Sequence, residues 1–542
     1  MSEARSGSQP DVLVIGSGPS GAITTKRLVE DGFRVVCLEQ GGWPNHSEAP
    51  ARRDDFELAI AKDWSWEPNV RRAPSDYPVE ESDSDISPLM GNGVGGSTLY
   101  WAAQWHRNLP SDFCVRSLDG VGDDWPLTYY ELEPYYQRVE RDFAVSGLPG
   151  DPAYPPTLSP PLPPAPIGRM GELVAQGHNE LGWHWWPNSN AIATRSHGRL
   201  KPCVQLAACL WGCPNLSKAS ADLTHWPDAL ELGAELITGA RVRRIEVDSR
   251  GLATGATYVD REGNEHFQPA SVTILCANGV GTPRLLLNSA TGTHPDGLAN
   301  SSGLVGRRLM MHPFTSVVGL FDEDLQSWQG LYGQHIYSLQ FYETDESRGF
   351  VRGAKWNLMP TGGPLAATRI WPFGESRNIW GENFHEQIGK RLGHSATWGI
   401  IAEDLPDELN QVVIDPNLTD DDGIPAPKLM YKTSENSRRL LDFHVERARE
   451  SFEAAGASEV LFSPQLRAVG WHLLGTAKMG DDPETSVVDR WGGTHDVPNL
   501  YVFDGSVWPT SAGVNPTATI AAMALRFADH LVDERRNQEV PR

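Results

Sequence analysis

The stretch Asp11-Val12-Leu13-Val14-Ile15-Gly16-Ser17-Gly18-Pro19-Ser20-Gly21, continuing through Glu39 to Gly42, decides the fold. Val12 to Ile15 is a short unbroken apolar run, the pattern of a strand buried on both faces of a parallel sheet. The glycines follow at once, residues 22–30 are compatible with a helix, and Gly32 stops it. Residues 33–38 read as a second buried strand that ends in Glu39. In such a unit Gly16 allows the tight turn, Gly18 lets backbone approach a pyrophosphate, and Gly21 lets helix and strand pack closely. Ser20 lies at the helix start, where free N–H groups and a positive dipole end face phosphate. Glu39 falls about where an acid reaches a ribose hydroxyl. A G-x-G-x-x-G alone is weak, but with its strand, helix and acid in place it predicts a dinucleotide site.

The totals bound the rest. A chain of 542 residues has room for two or three domains and a large core. No apolar run approaches ~18 residues, so no transmembrane helix is expected. The first ten residues are polar and lack the apolar centre of a secretory signal, which makes the cytoplasm the expected compartment. A formal charge of −24 argues against nucleic acid and against anionic membrane surfaces, since both are bound through excess Lys and Arg. Six cysteines in so long a chain are no disulfide framework.

Glu80-Glu81-Ser82-Asp83-Ser84-Asp85 reads as a solvated acidic loop. Gly91-Asn92-Gly93-Val94-Gly95-Gly96-Ser97-Thr98 is either a flexible surface loop or backbone pressed against a ligand. Residues 123–145 look helical, and 149–166 are too proline-rich for regular structure. Alternating segments at 241–247, 253–259 and 271–275 predict a small antiparallel meander, with Glu262-Gly263-Asn264 as a turn. Short alternating segments between about 316 and 462 suggest a second, largely antiparallel sheet. One amphipathic helix there carries Leu441, Val445, Ala448, Phe452 and Ala455, with Gly456 closing it. At the C-terminus Asn515-Pro516 reads as an N-cap followed by proline at the first helical position. A chain that opens with a nucleotide loop, leaves for another sheet and returns for a final helix has a discontinuous first domain. The fold class expected is α/β: a Rossmann-like nucleotide domain with a second α+β substrate domain. The expected divisions are residues 1–155, 201–315 and 465–542 for the nucleotide domain, 156–200 for a proline-rich arm and connection, and 316–464 for the substrate domain.

Read together, these motifs resemble the glucose-methanol-choline family of FAD-dependent oxidoreductases over nearly the whole chain. Four separated matches carry the resemblance. The first is the nucleotide loop through Glu39, and the second is residues 91–98, similar to the family's glycine-rich segment beside the flavin. The third is Ala277-Asn278-Gly279-Val280-Gly281-Thr282-Pro283-Arg284-Leu285-Leu286-Leu287-Asn288-Ser289, similar to its second signature. The fourth joins His472-Leu473-Leu474-Gly475-Thr476-Ala477-Lys478-Met479-Gly480 to Asn515-Pro516-Thr517-Ala518-Thr519. The resemblance implies FAD as cofactor, with contacts from Gly16, Gly18, Ser20, Gly21, Glu39, Gly93, Gly96, Ser97, Thr98, Val242, Ala277, Thr282, Asp504, Gly505, Asn515 and Thr517. It also implies that His472 takes the proton of an alcohol as hydride leaves for flavin N5, a task imidazole suits near neutral pH. Asn515 would then be the second catalytic residue, against the plainer reading of a helix cap; His472, against that of a loop-holding imidazole.

The family's fungal pyranose oxidases attach FAD through a histidine in a Ser-Thr-His-Trp run. Here Ser97-Thr98-Leu99-Tyr100-Trp101 has Tyr100 at that place, so FAD is expected to be non-covalent. Cys203, Cys209 and Cys213 are spaced C-x5-C-x3-C; some sugar dehydrogenases of the family hold an iron–sulfur cluster in this region, but three buried thiols around a turn are the simpler reading, and no metal is expected. Trp328, Trp356, Trp371, Trp380, Trp398 and Trp508 either stack on sugar faces or fill the core. Phe341-Tyr342-Glu343-Thr344-Asp345, Arg352-Gly353-Ala354-Lys355-Trp356 and Gly470-Trp471-His472 look like the bacterial pyranose oxidase branch, which includes enzymes that oxidise glycosides and C-glycosides at C3. The expected function is oxidation of a C2 or C3 ring hydroxyl of a sugar or glycoside to a ketone. Dioxygen, giving hydrogen peroxide, or a quinone takes the electrons; nucleic acid and membrane are not expected partners, and the oligomeric state stays open. Rivals are a non-redox lyase on the same scaffold, a nicotinamide-dependent dehydrogenase and a binding protein.

Overall fold

A computed structural model describes residues 9–58, 65–332, 335–369, 378–463 and 465–539. Two sheets position everything else. Val12–Ile15 and Val35–Glu39 are buried at every position and pair in parallel, Val12 opposite Val35 through Ile15 opposite Leu38. Val12–Ile15 pairs on its other side with Val272–Leu275, which pairs with Leu500–Val502, while Glu235–Thr238 closes the far edge. One five-stranded parallel sheet is thus drawn from the start, middle and end of the chain. The helix Pro19–Glu30, with proline in its first turn, packs against the C-terminal helix Thr517–Glu539, which also lies on Tyr129–Asp142. Leu28, Ala524 and Phe527 are buried there, each large apolar side chain contributing about 1.5–3 kcal/mol.

The second sheet has six strands in the order Glu459–Phe462, Phe314–Leu320, Ser395–Ala402, Ala354–Pro360, Ile336–Ser338, Trp186–Pro187, all antiparallel. Its central strands are buried on both faces, and side chains alternate between them. Trp356, Leu358, Trp398 and Ile400 share a core with Leu440, Ala448 and Phe452 of the helix Glu435–Ala454 and with Met170 and Val174 of Gly168–Leu181. Asn357, Met359, Phe314 and Ile401 turn the other way, into a cavity between the two sheets. The expected class, a discontinuous Rossmann-like domain with a second antiparallel-sheet unit, is what the chain adopts.

Several local expectations need correction. The acidic run is not a loop: Glu80–Ser84 is a strand that pairs in parallel with Pro425–Tyr431, and Asp83 and Asp85 reach Lys428 and Lys432. The third strand of the meander is Glu265–Pro269, directly after the turn at Gly263; Val272–Leu275, an apolar run, is claimed by the parallel sheet. The 156–200 segment is more than a connection, since it supplies the Gly168–Leu181 helix and an edge strand of the six-stranded sheet. The final helix starts at Thr517, not Pro516, and the Ile520 amide donates to the Pro516 carbonyl. Trp356, Trp398 and Trp508 are core, Trp380 is 88% exposed and Trp328 half-exposed, so none of these five lines the cavity. Trp371 lies outside the described residues.

Candidate active site

The cavity, of about 330 Å³, runs from the N-terminus of the Pro19–Glu30 helix to the inner face of the six-stranded sheet. At its first end Gly16 adopts φ +102°, and a Cβ there would lie 2.4 Å from the Cys276 carbonyl oxygen. A Cβ on Gly21 would lie 2.0 Å from the Gly16 carbonyl oxygen, so helix and strand touch there only because both residues are glycine. Gly18 is the N-cap and has no side chain to satisfy the first helical amides, which leaves them for a phosphate. Glu39 accepts from the Ser17 amide (3.0 Å), the Ser17 hydroxyl (2.6 Å) and the Gly41 amide (2.8 Å), and its carboxylate faces the cavity. The second glycine segment closes over this loop: Gly95 donates to the Ser17 carbonyl, and Gly96, at φ +55°, has no room for a Cβ beside Gly18. Such a bare, donor-rich cradle fits the pyrophosphate of FAD.

Of the expected cofactor residues, Gly16, Gly18, Ser20, Glu39, Gly96, Ser97, Thr98, Val242, Ala277, Asp504, Gly505, Asn515 and Thr517 line this one cavity. Gly21, Gly93 and Thr282 stand behind it. Gly93 accepts from the Ser17 hydroxyl through its carbonyl, and Thr282 donates to Asp504 at 2.6 Å. Asp504 is buried, which raises its pKa, yet it accepts from Ser506, Thr282 and the Asn278 amide. Its carboxylate therefore ties the second signature to the C-terminal strand. Tyr100 also lines the cavity, against Gly91.

At the sheet end stand His472 and Asn515, brought together from different segments: Asn515 Nδ2 lies 3.5 Å from His472 Nε2. Two residues that the sequence reading gave no role complete the group. His312 Nδ1 is 2.7 Å from His472 Nδ1, while His312 Nε2 faces the carbonyl oxygens of Ala512 (2.6 Å) and Ser511 (3.2 Å). Lys355 Nζ donates to Gln104 Oε1 (2.7 Å) and Asn515 Oδ1 (2.6 Å). The Asn515 carboxamide is thus turned into the site instead of capping its helix.

These contacts assign the protons. Burial pushes the His312 pKa down to about 4, so its ring is neutral with one N–H. Carbonyls only accept, so that hydrogen sits on Nε2 and Nδ1 keeps its lone pair. His472 Nδ1 must then be the donor, leaving the lone pair of His472 Nε2 facing Asn515 and the cavity. Burial, with His312 and Lys355, holds the His472 pKa well below the usual imidazole value, so Nε2 is a free base at neutral pH. His312 and Ala512 are both in the left-handed region, at φ +50° and +55°, as is Ala103 in the cavity wall. Strained backbone of this kind, costing about 1–3 kcal/mol per residue, concentrates at working sites. The signals that could have found the extra pair are a histidine just before a wholly buried strand, and a lysine in phase with Asn357 and Met359 inside another.

Cys203, Cys209 and Cys213 are free thiols; burial pushes Cys209 up to about 12, and the Gln205 and Ser217 amides contact the sulfurs of Cys203 and Cys213. Among the described residues no group of three His, Cys, Asp or Glu side chains is arranged to hold a metal ion, and no helix is long and apolar enough to cross a membrane.

Comparison with known proteins agrees with this geometry. Two family models, both described as GMC oxidoreductase, match residues 11–314 and 406–524. The chain is 40% identical over 552 aligned residues to a 2-methyl-1,2-propanediol dehydrogenase of Mycolicibacterium austroafricanum, covering 99% of each. It is 30% identical to a fructose dehydrogenase large subunit of Gluconobacter japonicus, covering 97% of this chain and 98% of that one. Its fold is similar to the crystal structure of pyridoxine 4-oxidase from Mesorbium loti, with a TM-score of 0.68 at 18% identity, covering 96% and 99% of the two chains. The chain belongs to the GMC oxidoreductase family and is an FAD-binding enzyme that oxidises CH–OH groups.

Proposed function

We propose that the enzyme oxidises a secondary ring hydroxyl, at C3 or C2, of a pyranose or glycoside to a ketone, as the bacterial pyranose oxidase and C-glycoside 3-oxidase branch does. The observation that carries the chemistry is the facing pair of His472 Nε2, a lone pair, and Asn515 Nδ2, a donor. Their 3.5 Å separation lets one hydroxyl oxygen reach both: its proton goes to His472, and the oxygen accepts from Asn515 as negative charge develops. When bound, FAD supplies the two-electron acceptor for the hydride. It would be held without a covalent link, since Tyr100 stands where the family's attaching histidine would.

A hydroxyl-rich substrate is supported by the wall beside this pair. Among the described residues Asn357 Oδ1 and Trp471 Nε1 are buried without a hydrogen-bond partner, one an acceptor and one a donor, on residues that line the same cavity. Leaving such groups unpaired costs about 1–3 kcal/mol each, which substrate hydroxyls would relieve. The relationship to the propanediol dehydrogenase favours a second reading, a small vicinal diol as substrate. Dioxygen is the proposed acceptor, with a quinone as the alternative.

One experiment separates these readings: anaerobic addition of D-glucose, methyl glucoside, 1,2-propanediol and 2-methyl-1,2-propanediol to the holoenzyme, followed by flavin bleaching. Bleaching by the sugars, with an NMR-assigned C2 or C3 ketone, supports the first. Bleaching by the diols alone replaces it with the second, and no bleaching by any of them counts against both. Reoxidation in air, with peroxide measured, then decides the acceptor.

A further inference from the structure

We infer that Lys355 is a positioning residue that decides which way the Asn515 carboxamide points, and so whether the site presents a donor or an acceptor to the substrate oxygen. The inference rests on the His472–Asn515 reading above. Lys355 is wholly buried in the centre of the 354–360 strand, on the same face as Asn357 and Met359, and reaches Gln104 and Asn515. Both contacts are to amide oxygens.

Amide oxygen and nitrogen have nearly the same shape, so packing alone does not choose between the two orientations of Asn515. Lysine chooses. Whether it is an ammonium or, as burial favours, a neutral amine, Nζ has N–H groups for both acceptors. A reversed carboxamide would set donor against donor at an ammonium, or leave an amine N–H without its acceptor, and in either case would turn Oδ1 toward the lone pair of His472 Nε2. With Oδ1 held by Lys355, Nδ2 must face His472 Nε2. A substrate hydroxyl can then donate to the imidazole while accepting from Asn515. Reversed, the carboxamide oxygen would compete with His472 for the hydroxyl proton, and nothing would stabilise the emerging alkoxide.

Other buried groups point elsewhere. The Arg352 guanidinium is paired with Asp112, Asp119 and Glu403, and His225, close to Asp142, lies in a cleft whose wall includes the Lys26–Glu30 and Arg199–Asp228 ion pairs.

The test uses anaerobic flavin reduction of the FAD-loaded enzyme by the most reactive member of the panel above. Lys355→Met should lower the limiting reduction rate by about 10- to 100-fold, less than the roughly 10²- to 10³-fold that one oriented oxyanion donor carries, because Asn515 stays in place and keeps the donating orientation part of the time. The half-saturating concentration should change less than about threefold, because the lost interaction strengthens in the transition state. Lys355→Gln keeps an N–H that can reach Asn515 Oδ1 and should recover most of the rate. In an Asn515→Ala background, Lys355→Met should cost less than about threefold, because the residue it acts through is gone. Equal losses in the Met and Gln variants, or a full additional loss in the Asn515→Ala background, would overturn the inference while leaving Asn515 in place. Should the Met variant not fold, the Gln variant decides alone: recovery supports the inference, and a rate as low as that of Asn515→Ala overturns it. If Asn515→Ala itself loses less than tenfold, the active-site reading fails first and takes this inference with it.

Discussion

His312 and His472 meet edge to face, Nδ1 to Nδ1 at 2.7 Å, and because His312 is locked to the Ala512 carbonyl on its far side, only one tautomer of His472 satisfies the contact. The hydrogen is on the inner nitrogen of His472 and the lone pair is on the outer one.

Replacing His472 with alanine should slow anaerobic flavin reduction by about 10²- to 10⁴-fold while FAD remains bound, since a positioned base contributes in that range. Stopped-flow reduction and flavin content of the purified variant measure the two halves. A rate within tenfold of the parent would remove His472 from the role of base.

His312→Phe removes the acceptor for His472 Nδ1–H and should cost on the order of 100-fold in reduction rate, less than the roughly 10⁴-fold of a fully mis-set tautomer in a general-base site, because the variant leaves both tautomers open to His472. His312→Gln can still accept at one end and donate to Ala512 at the other, and should retain more of the rate. If the two variants fall equally, His312 supports the loop and not the tautomer.

The pH dependence follows from the direction of the His472 shift. Its pKa lies well below the ordinary 6.5, and the working form is the neutral one. Reduction should therefore be independent of that group at and above pH 6.5 and decline only on the acid side, as pH falls through the lowered pKa. An acid limb centred above 6.5 would contradict the assignment.

Gly21→Ala should abolish FAD retention, because its Cβ would lie 2.0 Å from the Gly16 carbonyl oxygen and push helix and strand apart at the phosphate cradle. Flavin absorbance per mole of purified protein is the readout, with circular dichroism to show that the variant is folded. Retention near the parent's value would mean that the loop relaxes more easily than its packing indicates.

Denaturation should release FAD into the filtrate, Tyr100 having no histidine's nucleophilic nitrogen to offer. Colour retained on the precipitated chain would show a covalent link at some other residue.

What could be read in the sequence divides by the distance over which each feature is specified. The Val12–Glu39 unit was legible because strand, turn, helix and acid lie within one short stretch, and the helix at 435–454 because its apolar spacing repeats locally. The strand at 80–84 was not, since its charged side chains are matched by lysines more than 340 residues away. His312 and Lys355 were given no role for the same reason: each meets its partner across a separation of 160 residues, and a histidine before a buried strand or a lysine within one does not name that partner. Asn515 was read both ways because capping is a local signal, whereas the lysine that captures its carbonyl belongs to the six-stranded sheet.

The two faces of the 354–360 strand have a consequence for how such an enzyme can diversify. Trp356 and Leu358 belong to the packed interior, whereas Asn357 and Met359 line the cavity. Exchanges at the second pair can retune which hydroxyl compounds are accepted without disturbing the scaffold one residue away. Lys355 stands apart on that face, buried behind the cavity wall: on the inference above it governs chemistry and not selectivity, so descendants of this chain with new substrates should be free to vary its neighbours while keeping it.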